Sequence, residues 1–129
     1  MKRRDGFTLM ELLTTLMVIA ILAAIALNRL WQAKDRAHSA AMMSDLRNAA
    51  VQQERYFSKN LQYATDPAEL PDFATSPGVT LTITWSAPDG WAGTATHVGL
   101  TGHQCGYFTG PAPAGSASPA TASGEVKCD

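Results

Sequence analysis

The sequence predicts an α+β fold in which a long N-terminal helix packs on a small antiparallel β-sheet of about four strands. Glycine and proline are absent from residues 7–66, and all seven prolines follow. This distribution is typical of one long helix followed by a turn-rich region. Within that region, residues 79–85 alternate apolar and polar side chains and are rich in β-branched residues, which predicts a strand.

Length, composition and the motifs that are missing limit the classes of function that the sequence supports. The 129 residues allow one domain plus a terminal element, and a net charge of −1 with 16% charged residues is not typical of a nucleic-acid-binding domain. The sequence contains no Gly-x-Ser-x-Gly, phosphate-binding loop or His-Glu-x-x-His motif, so we expect neither an enzyme nor a cofactor. His97 and His103 lie close to Cys105, but a structural metal site needs four ligands, so we expect no metal.

The N-terminal segment has three interpretations. Residues 12–28 carry no charge, Glu11 stands at their start, and three basic residues precede them. The run forms about 26 Å of helix, the short end of a membrane span. It could be a secretory signal peptide cleaved near residues 24–26, an uncleaved anchor, or a segment cut before the apolar run. Glu11 and the absence of a helix breaker up to residue 60 argue against the signal peptide.

The Lys/Arg rule does not decide the orientation of this segment in a membrane. Lys2, Arg3 and Arg4 precede the run, and basic residues also follow it closely at Arg29, Lys34 and Arg36. Trp31 is expected near the membrane boundary, where amphipathic aromatic rings are enriched.

A short motif then carries a resemblance to a known family. Residues 6–11 read Gly-Phe-Thr-Leu-Met-Glu, with basic residues before and a long apolar helix after. This pattern resembles the leader and N-terminus of type IV pilins and the related pseudopilins. The resemblance implies the pilin fold, cleavage after Gly6 by a prepilin peptidase, and N-methylation of the new N-terminal Phe7. It divides the chain into a cleaved leader (1–6), a hydrophobic helix (7–28) that is membrane anchor and then filament core, and a globular head (29–129).

Glu11 is the chemically informative residue of the motif. A carboxylate in a membrane costs about 2.5 kcal/mol or more, so it either marks the membrane surface, with the helix starting after it, or pairs with a cation. Cleavage would leave a cationic amine on Phe7. In a bundle of such helices Glu11 of one subunit can pair with the Phe7 amine of a neighbour, and buried pairs of this kind fix register. The resemblance implies the same role in subunit assembly.

The resemblance implies a structural subunit of a type IV pilus filament that serves motility, adhesion or DNA uptake. The expected location is the inner membrane as a single-pass precursor, and the extracellular pilus after assembly. Expected partners are other pilin copies in a helical filament, the prepilin peptidase and the inner-membrane assembly machinery. A minor pilin with a tip binding role and a type II secretion pseudopilin remain alternatives. The processed chain would have seven Lys/Arg against ten Asp/Glu, which disfavours nucleic-acid binding by net charge.

One position departs from the family pattern. Many members have proline where this chain has Asn28. Proline would remove a helix hydrogen bond and kink the segment, whereas asparagine keeps its N–H. The sequence therefore leaves a bend near Asn28 open.

The second half of the helix is predicted to be amphipathic. One face, which can rest on the sheet, contains Leu46, Ala49, Ala50, Gln53 and Phe57. The charged side chains are expected mostly on the solvated side, namely Asp35, Asp45, Arg47, Glu54, Arg55 and Lys59.

The C-terminal half is predicted to be loops and strands. Residues 59–77 read as a loop with Tyr63, Leu70 and Phe73 beneath it, and residues 88–90 as a turn leading into a strand at 91–98. Shorter strands are predicted at 104–109 and 125–128. Residues 110–124 are low in complexity, so we expect a mobile or polyproline-like loop that buries no core. Its Ser/Thr-rich part, residues 116–123, could carry O-linked glycan. Trp85 and Trp91 are expected to pack between sheet and helix.

The two cysteines, Cys105 and Cys128, are near the C-terminus. An even count together with an export or membrane segment favours a disulfide in an oxidising compartment over two reduced thiols. Such a bridge is worth about 3 kcal/mol in the chain-entropy model. The pair also matches the disulfide-bounded C-terminal region of many pilins, and favours the pilus subunit over the secretion pseudopilin.

Overall fold

The computed structural model describes residues 6–129, and the chain divides into two units between Lys34 and Asp35. One helix, α1, runs from Leu9 to Asn60 and contains 52 residues. Its helical assignment is continuous through Asn28. This continuity is consistent with asparagine, which, unlike proline, keeps a backbone N–H that can donate to the helix.

The first unit contains the apolar part of α1. Every side chain from Gly6 to Lys34 is exposed. By length and composition alone, α1 contains a stretch long and apolar enough to cross a membrane, and no part of that stretch is buried. Within the described residues 6–34, its apolar side chains therefore have no packing partner, which distinguishes this stretch from the core helix of a soluble domain.

The second unit contains a four-stranded antiparallel sheet in the order β1-β2-β3-β4. The strands are β1 (Val79–Ala87), β2 (Gly90–His97), β3 (Leu100–Thr109) and β4 (Lys127–Cys128). The predicted turn is confirmed, since Ala87 pairs with Gly90 across a two-residue connection. The α+β prediction of one long helix and about four strands is likewise confirmed.

Strand boundaries differ from the predictions at the edge of the sheet. β3 begins at Leu100, four residues before the predicted strand, and β4 has only 2 residues. The early part of β3 lacks apolar alternation, and its pairing is irregular between Thr96 and His97 of β2. Pairing with a neighbouring strand rather than local propensity therefore extends β3, which a sequence pattern does not report.

The core lies between α1 and one face of the sheet. Met42, Leu46 and Ala49 of the helix are fully buried, as are Trp91 and Cys105 of the sheet. The Trp91 ring lies 5.2 Å from that of Tyr107, centroid to centroid. The prediction for Trp91 is therefore confirmed.

The matching prediction for Trp85 is wrong. Trp85 is half-buried and lies outside the core cluster. The pairing of β1 with β2 shifts register between Ile83 and Trp85. This irregularity interrupts the alternation that places Val79 and Leu81 in the core, because a bulge changes the direction of the side chains that follow it.

Two polar side chains of α1 are buried against the loop that follows the helix. Asp45, expected in solvent, is only 3% exposed and accepts hydrogen bonds from the Ser76 N–H at 2.6 Å and the Ser76 hydroxyl at 2.8 Å. Gln53 accepts from the N–H of Ala64 at 2.8 Å and donates to the Ala64 carbonyl at 3.1 Å. The solvated interpretation of Asp45 is wrong because loop donors replace water around its carboxylate.

The low-complexity segment 110–124 packs on the second face of the sheet. Ala117 is 3% exposed, and a Cβ on Gly106 would collide with the Ala117 carbonyl. Thr84 donates through its hydroxyl to the Ser116 carbonyl, and Gln104 donates to the Ser118 carbonyl at 3.0 Å. The expectation that this segment buries no core is therefore wrong at Ala117, because a strand glycine lets the loop approach the sheet backbone.

Candidate assembly site

The N-terminus of α1 is closed by a reciprocal pair of hydrogen bonds. The Thr8 hydroxyl accepts from the Glu11 N–H at 3.2 Å, while Glu11 Oε2 accepts from the Thr8 N–H at 3.1 Å. The Thr8 hydroxyl also lies 3.1 Å from the same oxygen, to which it donates. This is a capping box, in which a Thr and the Glu three residues later satisfy each other's free backbone donors.

The position of Glu11 follows from this cap. The helix begins at Leu9, so Glu11 lies in its first turn and the interpretation in which the helix starts after Glu11 is wrong. A negative charge in the first turn also interacts favourably with the helix dipole. The Thr-x-x-Glu spacing is the sequence signature of this local partner of Glu11, which the sequence interpretation above does not include.

Gly6 and Phe7 precede the cap and are outside the helix. The Phe7 side chain is 79% exposed, and within the described residues 6–129 no atom beyond the chain neighbours of Gly6 lies within 4 Å of a Cβ placed on it. The peptide bond expected to be cleaved therefore lies in an accessible, non-helical segment. The basic leader residues Lys2, Arg3 and Arg4 lie outside the described residues.

Polar groups inside the apolar run are bonded to their own helix. Thr14 donates through its hydroxyl to the carbonyls of Met10 at 3.1 Å and Glu11 at 3.0 Å. Thr15 donates to the carbonyl of Leu12 at 2.8 Å. Since buried hydroxyl donors must be satisfied in lipid or in a packed bundle, these bonds suit the segment to an environment without water.

Cationic and aromatic side chains follow the apolar run. Arg29, Trp31 and Lys34 are all exposed, and the ammonium of Lys34 lies 5.0 Å from the centroid of the Trp31 ring. This is a cation–π distance. The apolar side chains of the run are followed here by cationic and aromatic groups, which are enriched at a membrane–water interface.

In the second unit, Cys105 and Cys128 form a disulfide. The two residues are directly paired between β3 and β4. Next to the bridge, Gln104 donates its N–H to Asp129 Oδ1 at 2.8 Å, and the Asp129 N–H donates to the Gln104 carbonyl at 3.2 Å. The disulfide and these bonds hold the short last strand on the sheet.

The histidines of the second unit contact one another, nearby backbone or the carboxylate of Asp129. His97 stacks on His38 with ring centroids 3.9 Å apart, and its Nδ1 accepts from the Gly99 N–H at 2.9 Å. His103 lies 3.5 Å from Asp129 Oδ1. Among residues 6–129, no group of three or more His, Cys, Asp or Glu side chains is arranged to hold a metal ion.

Tyr63, Tyr107 and Glu54 form a tyrosine–glutamate cluster in the second unit. Tyr63 donates its hydroxyl to Glu54 Oε1 at 3.1 Å. Burial raises the pKa of the Tyr63 phenol above its usual 10.0, and the hydrogen bond and charge of Glu54 raise it further. Burial also raises the pKa of Tyr107, again with a contribution from the Glu54 charge. Both phenols are therefore held in the neutral form.

An accessible N-terminal segment, a capped apolar helix and an α+β head define a subunit that carries its own apolar assembly or anchoring helix. Residues 1–27 match the family model described as the prokaryotic N-terminal methylation motif. The chain is 34% identical over 104 residues to the type IV wide pilus major component PilA4 of Thermus thermophilus, an alignment covering 78% of this chain and 79% of that protein. The chain belongs to the type IV pilins.

Proposed function

We propose that this type IV pilin is a structural subunit of a pilus filament and that its apolar helix serves two environments in turn. The observation that carries the proposal is the exposure of every side chain in residues 6–34, combined with Thr hydroxyls that bond within the helix. A soluble monomer rarely exposes so large an apolar surface. Lipid would cover it before assembly, and the helices of other copies would cover it in the filament.

Processing would precede assembly. We propose that a prepilin peptidase cleaves between Gly6 and Phe7 and that the new amino group of Phe7 is methylated. The match of residues 1–27 to the methylation motif supports this. So does the position of Gly6 and Phe7 in an exposed segment outside the helix, because a peptidase needs an extended backbone.

Glu11 would then pair with the Phe7 amine of a neighbouring subunit. The described hydrogen bonds to this carboxylate all end on Oε2. Oε1 therefore remains to accept from a neighbour's ammonium while Oε2 keeps the helix capped. Removing one partner of a buried ion pair typically costs about 3–5 kcal/mol, so subunits out of register would be strongly disfavoured.

The capping box allows a sharp test of this role. Glu11→Gln removes the charge but keeps a residue that functions at the same position of a capping box. We expect Glu11→Gln precursor to insert and to be processed normally, with filament yield lowered by about tenfold or more. Yield is measured by shearing filaments from cells and quantifying the subunit.

Thr8→Ala is the matched control for the cap. It removes the capping hydroxyl at about 1 kcal/mol of helix stability and leaves the Glu11 charge, so we expect filaments to persist. Normal filament yield from Glu11→Gln would disprove the charge pairing. Loss of filaments from Thr8→Ala, together with normal yield from Glu11→Gln, would show that the cap, rather than the charge, is what assembly requires.

The proposed location and partners follow from this route. The precursor would lie in the inner membrane as a single-pass protein, and the assembled subunit in an extracellular pilus with other pilin copies, delivered by the inner-membrane assembly machinery. The relative in Thermus thermophilus is named as a major component, which supports a major subunit over a tip protein. A major subunit would be the principal protein band of sheared filaments, and its absence from that band would contradict this assignment.

A further inference from the structure

The apolar run of α1 ends in a set of exposed side chains, Arg29, Trp31 and Lys34, here called the collar. At about 100° per residue, Lys34 lies about 60° around the helix from Trp31, and Arg29 lies on the far side. The collar therefore surrounds the helix and does not form a single face. Trp31 is 61% exposed, so its ring is available to another molecule.

The charge of the collar is not balanced within its own stretch of helix. Residues 12–34 contain no Asp or Glu. The Lys34 ammonium lies 5.0 Å from the centre of the Trp31 ring, whose negative face attracts it without neutralising it. Within residues 12–34, the two cations therefore have no acidic side chain to pair with, and anions from elsewhere can match them.

The depth of the collar in a bilayer indicates which anions these are. The uncharged residues 12–28 form about 26 Å of helix, close to the roughly 30 Å of a bilayer's hydrocarbon core. If this run spans the membrane, the collar falls at the headgroup level of one leaflet. Trp is enriched at that level, and Arg and Lys extend their charged ends toward it.

We propose that the collar binds the phosphate groups of anionic phospholipids in the leaflet at the C-terminal end of the apolar run. This rests on the proposed membrane anchoring of the precursor and adds its lipid partner. The bound headgroups fix the depth of the unassembled subunit, and entry into a filament requires the collar to exchange them for another environment. The collar is thus a retention device for the membrane pool as well as an anchor.

The test uses the full chain reconstituted in phosphatidylcholine vesicles that contain trace spin-labelled lipid. Electron paramagnetic resonance measures the fraction of label immobilised at the protein for phosphatidylglycerol and, separately, for phosphatidylcholine. We expect a preference for the anionic lipid that falls about fivefold or more in Arg29→Gln/Lys34→Gln, given about 1 kcal/mol per basic residue near an anionic surface. Gln is a good helix former, so α1 is retained.

Arg47→Gln/Arg55→Gln is the matched control. Both arginines are exposed on α1 in the second unit, and the charge change is the same. We expect it to keep the parent's preference. The basic leader is identical in all chains, so its contribution cancels in the comparison.

An unchanged preference in the inserted collar variant would overturn the proposal. Unchanged lipid preference with a loss of filaments would likewise overturn it, and would assign the collar to an acidic surface of a neighbouring subunit. Failure of the parent chain to resist alkaline extraction from the vesicles is a separate result. It would disprove the membrane anchoring in the proposed function, and the collar proposal with it.

Discussion

The two units of this pilin differ in how their apolar side chains are covered and in where their polar side chains find hydrogen-bond partners. In residues 6–34 every side chain is exposed, and the Thr hydroxyls bond to carbonyls of their own helix. In Asp35–Asp129 apolar side chains form a core, and polar ones such as Asp45 bond to distant loops. The first pattern needs other molecules to cover it, whereas the second is complete within one chain. Filament formation and the stability of the head, here Asp35–Asp129, can therefore be altered separately.

The largest predicted effect uses the same substitution in each unit. Leu46 is fully buried in the core, while Leu16 is 57% exposed. We expect Leu46→Ala to lower the free energy of unfolding of the head by about 2–5 kcal/mol, because it removes buried methyl groups and leaves a cavity. Leu16→Ala should leave that free energy unchanged. Denaturant unfolding in detergent, followed by near-UV circular dichroism, measures both.

The two leucine substitutions can also contradict the contrast between the exposed apolar helix and the buried core. Equal destabilisation of the head by the two substitutions would mean that the apolar run contributes to the folded head. Filament yield should instead depend on Leu16, since neighbouring helices would cover that side chain in a filament. Lower filament yield from Leu16→Ala, with an unaltered head, is the expected result.

A smaller effect is predicted at the buried carboxylate of the head. Asp45→Ala removes the acceptor for both the N–H and the hydroxyl of Ser76. We expect a loss of about 1.5–3 kcal/mol, the usual range for hydrogen bonds to a charged group. Asp35→Ala is the control, because Asp35 is exposed and should change stability by less than about 0.5 kcal/mol. Equal effects from both would show that the Ser76 bonds contribute nothing net.

The parts of the fold that could be predicted depend on local signals. Residues 7–66 lack helix breakers, and α1 fills most of that stretch. Alternation from Val79 and a turn at Pro88-Asp89 predict the β1–β2 hairpin. The cap at Thr8 and Glu11 is equally local, since its spacing is readable in the sequence. Neither sequence interpretation of Glu11, as a marker of the membrane surface or as a partner for another subunit, includes this local bond to Thr8.

The parts that could not be predicted depend on distant partners. Asp45 is buried because Ser76, 31 residues along the chain, supplies two donors. Residues 110–124 look like a solvated loop by composition, yet Ala117 is buried because Gly106 has no side chain. No local pattern reports either pairing. Tertiary contacts decide such positions, and propensity does not.

The smallest predicted effect is a pH dependence confined to the head. The pKa values of Tyr63 and Tyr107 are raised in the folded chain, mainly by burial. In the unfolded chain both phenols ionise near 10.0, before they do so in the folded state. Their stabilising contribution is therefore complete below about pH 9 and is lost as the pH rises through the folded-state pKa values. Denaturation midpoints between about pH 8 and about pH 11 measure this loss.

Two variants separate the causes of this loss of stability at high pH. Tyr63→Phe removes one shifted phenol, so its stability should fall less steeply above about pH 10 than that of the parent. Glu54→Gln keeps both phenols but removes the negative charge that opposes their ionisation. Because burial is the larger cause, Glu54→Gln should flatten the decline less than Tyr63→Phe does. The reverse ranking would make the Glu54 charge dominant. Membrane insertion by residues 6–34 should not change in either variant, since the cluster lies wholly in the other unit.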